Sequence, residues 1–472
     1  MNYTKNIFLI MIVLLGFFSC DDELDIVPIS EKSADNFFSN EQEIESAIIG
    51  VYAQLQNNGL YGLDLIGVGE IPAEDTFEEI AANDGGRFGQ LDDFSTNPAN
   101  DLVGDIWRES YRGIQRTNVV LNRINDIEFE DASTKTNRIG EMKFVRALLY
   151  FNLVRLYGDV PLVVEETESP FDFFGLGRTP STEVYAQITA DLTDAVQDLP
   201  AAKLPGRPAS GTAQALLADV QLTLGNFSGA LTNLEAVVNS GQFELMPSTS
   251  EIFGEANEGN AEILFEVQYA SGFDADGSDE GSSAGSQFRP SGTTANAKGH
   301  NLPTQAFIDL FEAGDTRLDD YVAIDPDANP FYFLTKYEVS ATGADDGGTD
   351  HIIIRFADVI LKYAEALNEN GQTPEAIIQL NRIRSRAGLA GTTATSQADV
   401  RSAIRQERRF ELVGEGKRWL DLKRYGTAIE VMNAFFASNN AGVTINDNNL
   451  VLPIPQSQID TDPDFIEQNP GY

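Results

Sequence analysis

The densest group of chemically capable side chains lies near the C-terminus, where Glu407, Glu411 and Glu415 stand among Arg405, Arg408, Arg409 and Arg418. Val400, Ala403 and Ile404 turn Glu407 toward the apolar face of a helix. Two carboxylates so placed can serve as the acid and base of glycoside hydrolysis. A carboxylate that faces guanidinium groups does something else. It accepts two hydrogen bonds from an arginine, stays ionised and makes a poor general acid, which needs a raised pKa. The surrounding arginines favour a structural ion pair; the hydrolase stays as the rival reading.

Other constellations are thinner. His300 and His351 are the only histidines, and neither has a second metal ligand at diagnostic spacing, so zinc is not implied. Asp274, Asp276, Ser278 and Glu280 alternate as oxygen donors. An EF-hand loop wants glycine sixth and glutamate twelfth, where Asp279 and Gly285 stand. Asp325, Asp327 and Asn329 have the same limits. No cofactor is implied, and a structural calcium ion is an alternative without a supporting pattern. Nucleotide-binding motifs in a strand-to-helix context are missing.

The elements that must position these groups are helical. Ile44, Ala47, Ile48, Val51, Tyr52 and Leu55 recur on one face behind an Asn40 cap with Glu43 three residues on. Trp107, Tyr111, Ile114, Asn118, Leu121 and Ile124 mark a second helix. A third covers about Met142 to Tyr157 and stops at Gly158; a fourth opens with Thr179 as cap and Pro180 first inside, and runs to about Leu199. Two segments, about 213–240 and 355–386, carry tetratricopeptide spacing: Ala218, Gly225, Ala230 and Leu234 in one, Ala364, Gly371, Ala376 and Leu380 in the other. Ile263 to Tyr269 alternates like a strand. The stretches 60–100 and 271–340 are long, irregular and rich in Gly and Asp, the kind of loop that carries function.

Charge and the amino terminus bound the setting. Lys and Arg total 32 against 73 Asp and Glu, a net charge of −41. Nucleic acid is excluded as a partner, because phosphate binding needs clustered cations. Lys5, an apolar run from Ile7 to Phe18 and a small Ser19 make a secretory signal too short to span a bilayer. Cys20, the single cysteine, then reads as the lipidated first residue of the mature chain, whose charge is −42 once Lys5 is lost. The expected organisation is a signal peptide over 1–19, a lipidated tether over 20–36 and one domain over 37–472. Asp21, Asp22 and Glu23 resemble the surface-export signal of Bacteroidota lipoproteins; in other Gram-negative bacteria they would mean inner-membrane retention.

Several blocks together resemble the SusD/RagB family of outer-membrane glycan-binding lipoproteins. One is Arg146–Leu162, reading Arg-Ala-Leu-Leu-Tyr-Phe-Asn-Leu-Val-Arg-Leu-Tyr-Gly-Asp-Val-Pro-Leu. Others are Arg405–Leu412 with Gly414–Gly426, then Leu452–Pro455 and Gln468–Tyr472. The resemblance implies a mostly α fold: a tetratricopeptide α-superhelix with long embellishing loops and a few short strands. It also implies non-catalytic binding of oligo- or polysaccharide on the extracellular face of the outer membrane, and delivery to a SusC-like TonB-dependent transporter. A protein-only assembly scaffold is a further rival. Starch-binding members use an arc of tryptophans; here Trp107 and Trp419 fall at core positions, which leaves stacking to Tyr and Phe. Carbohydrate needs flat apolar faces and fixed polar groups. The candidates are Tyr61, Asp75, Arg87 and Phe88 in the first loop region and Phe288, Arg289, His300 and Tyr332 in the second. Phe331 to Phe333 could equally be a strand packed on the core. Arg87, Arg289 and Lys298 would allow an anionic sugar.

Overall fold

The computed structural model describes residues 38–169, 171–272, 280–325, 329–339, 343 and 345–472. Cys20, the signal and the tether lie outside the described residues, as do Asp274, Asp276, Ser278 and Asp327. Asn40 accepts the Glu43 N–H at 3.1 Å and starts α1 (Glu41–Leu55), whose Ile44, Ile48, Val51 and Leu55 are buried. The remaining helices are α2 (Asp64–Glu70), α3 (Asp101–Arg123), α4 (Ala132–Tyr157), α5 (Ser181–Asp198), α6 (Ser210–Thr223), α7 (Phe227–Asn239), α8 (Phe356–Glu369), α9 (Thr373–Arg386), α10 (Gln397–Glu411), α11 (Arg418–Arg424) and α12 (Ala428–Ser438), besides shorter turns.

These helices stack each against the next: α1 on α3, then α4, α5, α6 and α7, and from α7 directly to α8, α9 and α10. The second half of central α4 is buried all round. From Phe144 to Tyr157 every residue but Arg155 is buried, as expected of a helix covered on both sides. The two tetratricopeptide segments form helix pairs α6–α7 and α8–α9, and α7 against α8 makes them neighbours although more than a hundred residues intervene. Ala218, Ala230, Ala364 and Ala376 are fully buried at the crossings. A larger side chain there would have to overpack, at about 1–3 kcal/mol. Gly225 and Gly371 turn the chain inside each pair at φ +72° and +79°, a conformation side chains resist.

Two helix starts differ from their sequence expectation. α4 begins at Ala132, about ten residues before Met142, with Asp131 accepting the Ser133 N–H at 2.9 Å. Its first turns are polar and carry no apolar period; Arg138, paired to Glu141 at 2.6 Å, holds them instead. α5 begins at Ser181 with Pro180 as its cap residue. A distant carboxylate, Asp159, accepts the Ser181 N–H at 2.7 Å and replaces the expected Thr179 cap.

Strands are few and short. β1 (Thr76–Phe77) pairs with β3 (Leu302–Pro303), β2 (Ile263–Val267) with β6 (His351–Arg355), and β4 (Val322–Asp325) with β5 (Asn329–Leu334), all antiparallel. Every residue of β2 and β6 is buried, so the alternation at Ile263 does not mark a solvent face. Trp107 and Trp419 are both core, as their positions imply. Among the described residues no helix is long and apolar enough to cross a membrane.

Candidate binding face

The two irregular stretches meet. β1 delivers residues 76–88 against residues 289–303, which follow from β3 backwards, and β5 lies beside β3. Backbone and side chain lock the seam: Glu79 N–H donates to Gly299 O at 2.9 Å, and Asn83 Nδ2 donates to Lys298 O at 2.7 Å. Glu79 in turn accepts from Ser291 N–H at 2.7 Å and from Asn329 Nδ2 at 3.1 Å. Gly299 sits at φ +76°, and a Cβ there would collide with the Glu79 carboxylate.

On this seam β5 sets Phe331, 37% exposed, edge-on to half-buried Phe77 with ring centroids 5.5 Å apart. Two residues on, Phe333 turns to the same side and is covered by Arg289, whose guanidinium carbon lies 4.1 Å from the ring centroid. Burial lowers the Arg289 pKa, and among the described residues no carboxylate pairs with it. Ile80, on the first loop, is also exposed. The arrangement is a small apolar surface rimmed by fixed amide, carboxylate and guanidinium groups. It can stack on the C–H face of a sugar and hydrogen-bond hydroxyls.

Of the eight candidates, five are inside the packing rather than on this surface. Tyr61 is buried, accepts from Asn152 Nδ2 at 2.7 Å and stacks on His351; burial pushes its hydroxyl up to about 12. Asp75 is buried and held by Arg409 at 2.7 and 2.8 Å. Phe88 is fully buried, 4.5 Å from His300 between ring centroids. His300 is fully buried too, with Nδ1 2.6 Å from Glu78 and Nε2 3.3 Å from Asp84. Phe288 packs edge-on against Tyr337 at 5.9 Å. Tyr61, Phe88 and Phe288 join the main apolar core, so they anchor the loops on the helical body. Arg87 is tied to Asp64 at 3.0 Å and to Asp105 at 2.8 Å, and Tyr332 leans on the cluster around Phe307 and Leu334. Arg289 alone of the eight lies with the Phe331 surface. Phe77, Glu79 and Ser291 carry no signal in the sequence, Asn329 reads there as an oxygen donor beside Asp325 and Asp327, and Phe331 as part of a strand. The one signal that joins the last two is the alternation Asn329, Phe331, Phe333, which puts those three on one side of a strand.

The carboxylate cluster is a closed ion web. Glu407 accepts from Arg317 at 2.7 Å and Arg384 at 3.1 Å. Glu411 meets Arg317 at 3.2 Å, Arg355 at 2.6 Å and Arg386. Glu415 bridges Lys336 at 2.6 Å and Arg355 at 2.8 Å. Burial would raise the Glu411 pKa, but Arg386, Arg355 and Arg317 hold it well below the usual carboxylate range. Ionised and saturated with donors, it has no proton to give.

Two family models match, the SusD family over residues 318–472 and "starch-binding associating with outer membrane" over residues 24–222. Two SusD-like proteins of Formosa agariphila are 25% and 27% identical, over 99% and 98% of this chain and of their own. Among solved structures, a laminarin-binding SusD-like protein is 27% identical with a TM-score of 0.79, covering 92% of this chain and all of the other. This chain belongs to the SusD/RagB family. Its mostly helical, tetratricopeptide-like fold is that of the family.

Proposed function

We propose that this protein binds oligo- or polysaccharide at the cell surface without cleaving it, and passes it to a SusC-like TonB-dependent outer-membrane transporter. One observation carries the reading: nearly the whole chain shares sequence and fold with a laminarin-binding SusD-like protein. The Phe77–Phe331 pair, with Arg289, Asn329 and Glu79 around it, supplies a surface suited to sugar. Lipidation at Cys20 would hold the protein on the outer face of the membrane, and closure over the transporter would move the glycan inward.

Calorimetric titration with laminarin, starch and other purified glycans tests the proposal. Saturable binding to at least one, without new reducing ends, is expected. Release of reducing ends would replace it with the hydrolase. Co-purification with the transporter and no affinity for any glycan would replace it with the assembly scaffold. Phe331→Ala and Arg289→Ala should each weaken glycan binding about tenfold, roughly 1.4 kcal/mol; unchanged affinity would move the site elsewhere. Cys20→Ser should release the protein from the membrane fraction, and full retention would reject the lipid anchor.

A further inference from the structure

Far from the loop face in sequence and sharing no residue with it, a cavity of about 350 Å³ opens among α4, α5, α6, α8, α10 and α11. Six cations line it: Arg155, Lys362, Arg408, Lys417, Lys423 and Arg424. Three are matched. Lys362 pairs with Asp219 and Asp358, each at 2.8 Å, Arg408 with Asp358 at 2.7 Å and Asp421 at 2.9 Å, and Arg424 with Glu365 at 2.5 Å and Asp421 at 2.9 Å.

The other three have no carboxylate partner among the described residues. Lys417 gives one hydrogen bond, to Ile353 O at 2.8 Å, and Lys423 one, to Arg155 O. Arg155 donates from Nε to Phe151 O at 3.0 Å and from Nη2 to Asn152 Oδ1 at 2.8 Å, lying 3.7 Å over the Phe151 ring; its Nη1 has no partner. An ammonium has three protons to donate. Each lysine therefore keeps two, and both residues line the same cavity, Lys417 as the cap residue of α11 and Lys423 inside that helix. Counting Asp358 and Glu365 behind the lining, six cations face four carboxylates, in a chain whose net charge is −41. A local cationic excess in so acidic a protein needs an anion. Three donor sets, one on α4 and two on the α11 segment, suit an anion with at least three oxygens better than a two-oxygen carboxylate.

We propose that this cavity binds a tetrahedral oxyanion, a sulfate or phosphate, either free or as an ester on a sugar. Burial and the neighbouring Arg155 lower the Lys423 pKa to about 7, the strain expected of an ammonium waiting for a counter-charge. The site is independent of glycan binding by the loops and survives failure of that reading.

Calorimetric titration of the full chain with sodium phosphate, sodium sulfate and glucose 6-phosphate, at ionic strength fixed with chloride, tests it. Saturable binding of one anion per chain is expected for at least one probe. Tighter binding of glucose 6-phosphate assigns the site to the sugar ester, and equal or tighter binding of the inorganic ions to free anion. Lys423→Gln should weaken binding about ten- to a hundredfold, the range for a charge-assisted hydrogen bond. Thr223→Glu, on the cavity wall, places a tethered carboxylate among the cations and should abolish binding while leaving the Tm unchanged or higher. No saturable heat with any probe overturns the proposal. So does binding that Thr223→Glu leaves intact, which would locate the anion elsewhere whether or not the Lys423 variant folds.

Discussion

Glu411 and Glu415 face one side of the chain's C-terminal signature, Arg408 and Lys417 the other, and the two sides are opposites electrostatically. In the web, Arg317, Lys336, Arg355, Arg384 and Arg386 meet the buried Asp315, Glu262, Glu407, Glu411 and Glu415, with the exposed Glu312 on Arg384 at the rim. In the cavity, Arg155, Lys417 and Lys423 form no ion pair among the described residues, although Asp219 and Asp358 lie near enough to act on Lys417. The carboxylates of the web are buried, whereas the three unpaired cations line an opening and are partly buried. A buried charge is tolerable when its partners return what desolvation costs, and strained when they do not. The web is scaffold. The cavity is an unfilled electrostatic demand.

The contrast can be broken most forcefully at Glu411. Glu411→Gln leaves the guanidiniums of Arg317, Arg355 and Arg386 around a neutral amide and should cost about 3–5 kcal/mol in urea unfolding. A loss under about 1 kcal/mol would mean that the web is not matched as a unit. Next come buried carboxylates that lack a cation. Glu70 is met by backbone N–H groups, that of Lys417 at 2.8 Å, and Asp350 by that of Tyr269 at 2.7 Å, and burial raises both to about 8. Their folded values lie above the unfolded ones, so the native state holds their protons more tightly. The stability this adds is complete below about pH 4 and disappears as pH rises through about 8. The unfolding free energy should therefore be higher at pH 5.5 than at pH 8.5, by at least on the order of 1 kcal/mol per group. Glu70→Gln should flatten that slope, and an unchanged slope would acquit Glu70.

Smaller still, and of opposite sign to the web, Lys423→Gln in anion-free buffer should stabilise the fold by up to about 1 kcal/mol, because it removes an uncompensated charge beside Arg155. A clear destabilisation would mean that the ammonium is already satisfied. Smallest on stability is Phe331→Ala, expected within about 0.5 kcal/mol since the ring is a surface one; a larger loss would show the ring to be packing rather than presenting.

Much of the scaffold could be read directly. The apolar stripe of α1, the mostly apolar run of α4 and the paired small residues of α6–α9 repeat at distances of a few residues, where helix geometry is the only rule needed. The polar first turns of α4 escaped that rule because Arg138 and its carboxylates, not an apolar face, hold them. The loop candidates failed for a related reason. Phe88, Phe288 and His300 sit in segments that composition marks as surface, but the two segments pack on each other and bury them. Phe331, beside them, stays out because only the edge of Phe77 meets it, whereas Arg289 covers Phe333 on the same side of β5.

Sequence alone determined the helical body, the tetratricopeptide pairing, the family and the overall acidity, for these rest on local spacing and composition. Tertiary structure decided which charges are neutralised and which aromatics are exposed. Arg317 and Glu407 are 90 residues apart, Arg355 and Glu411 are 56 apart, and no local pattern records that each finds the other. Desolvation and pairing are properties of what a residue touches after folding, so the closed web, the open cationic cavity and the Phe331 surface exist only in three dimensions.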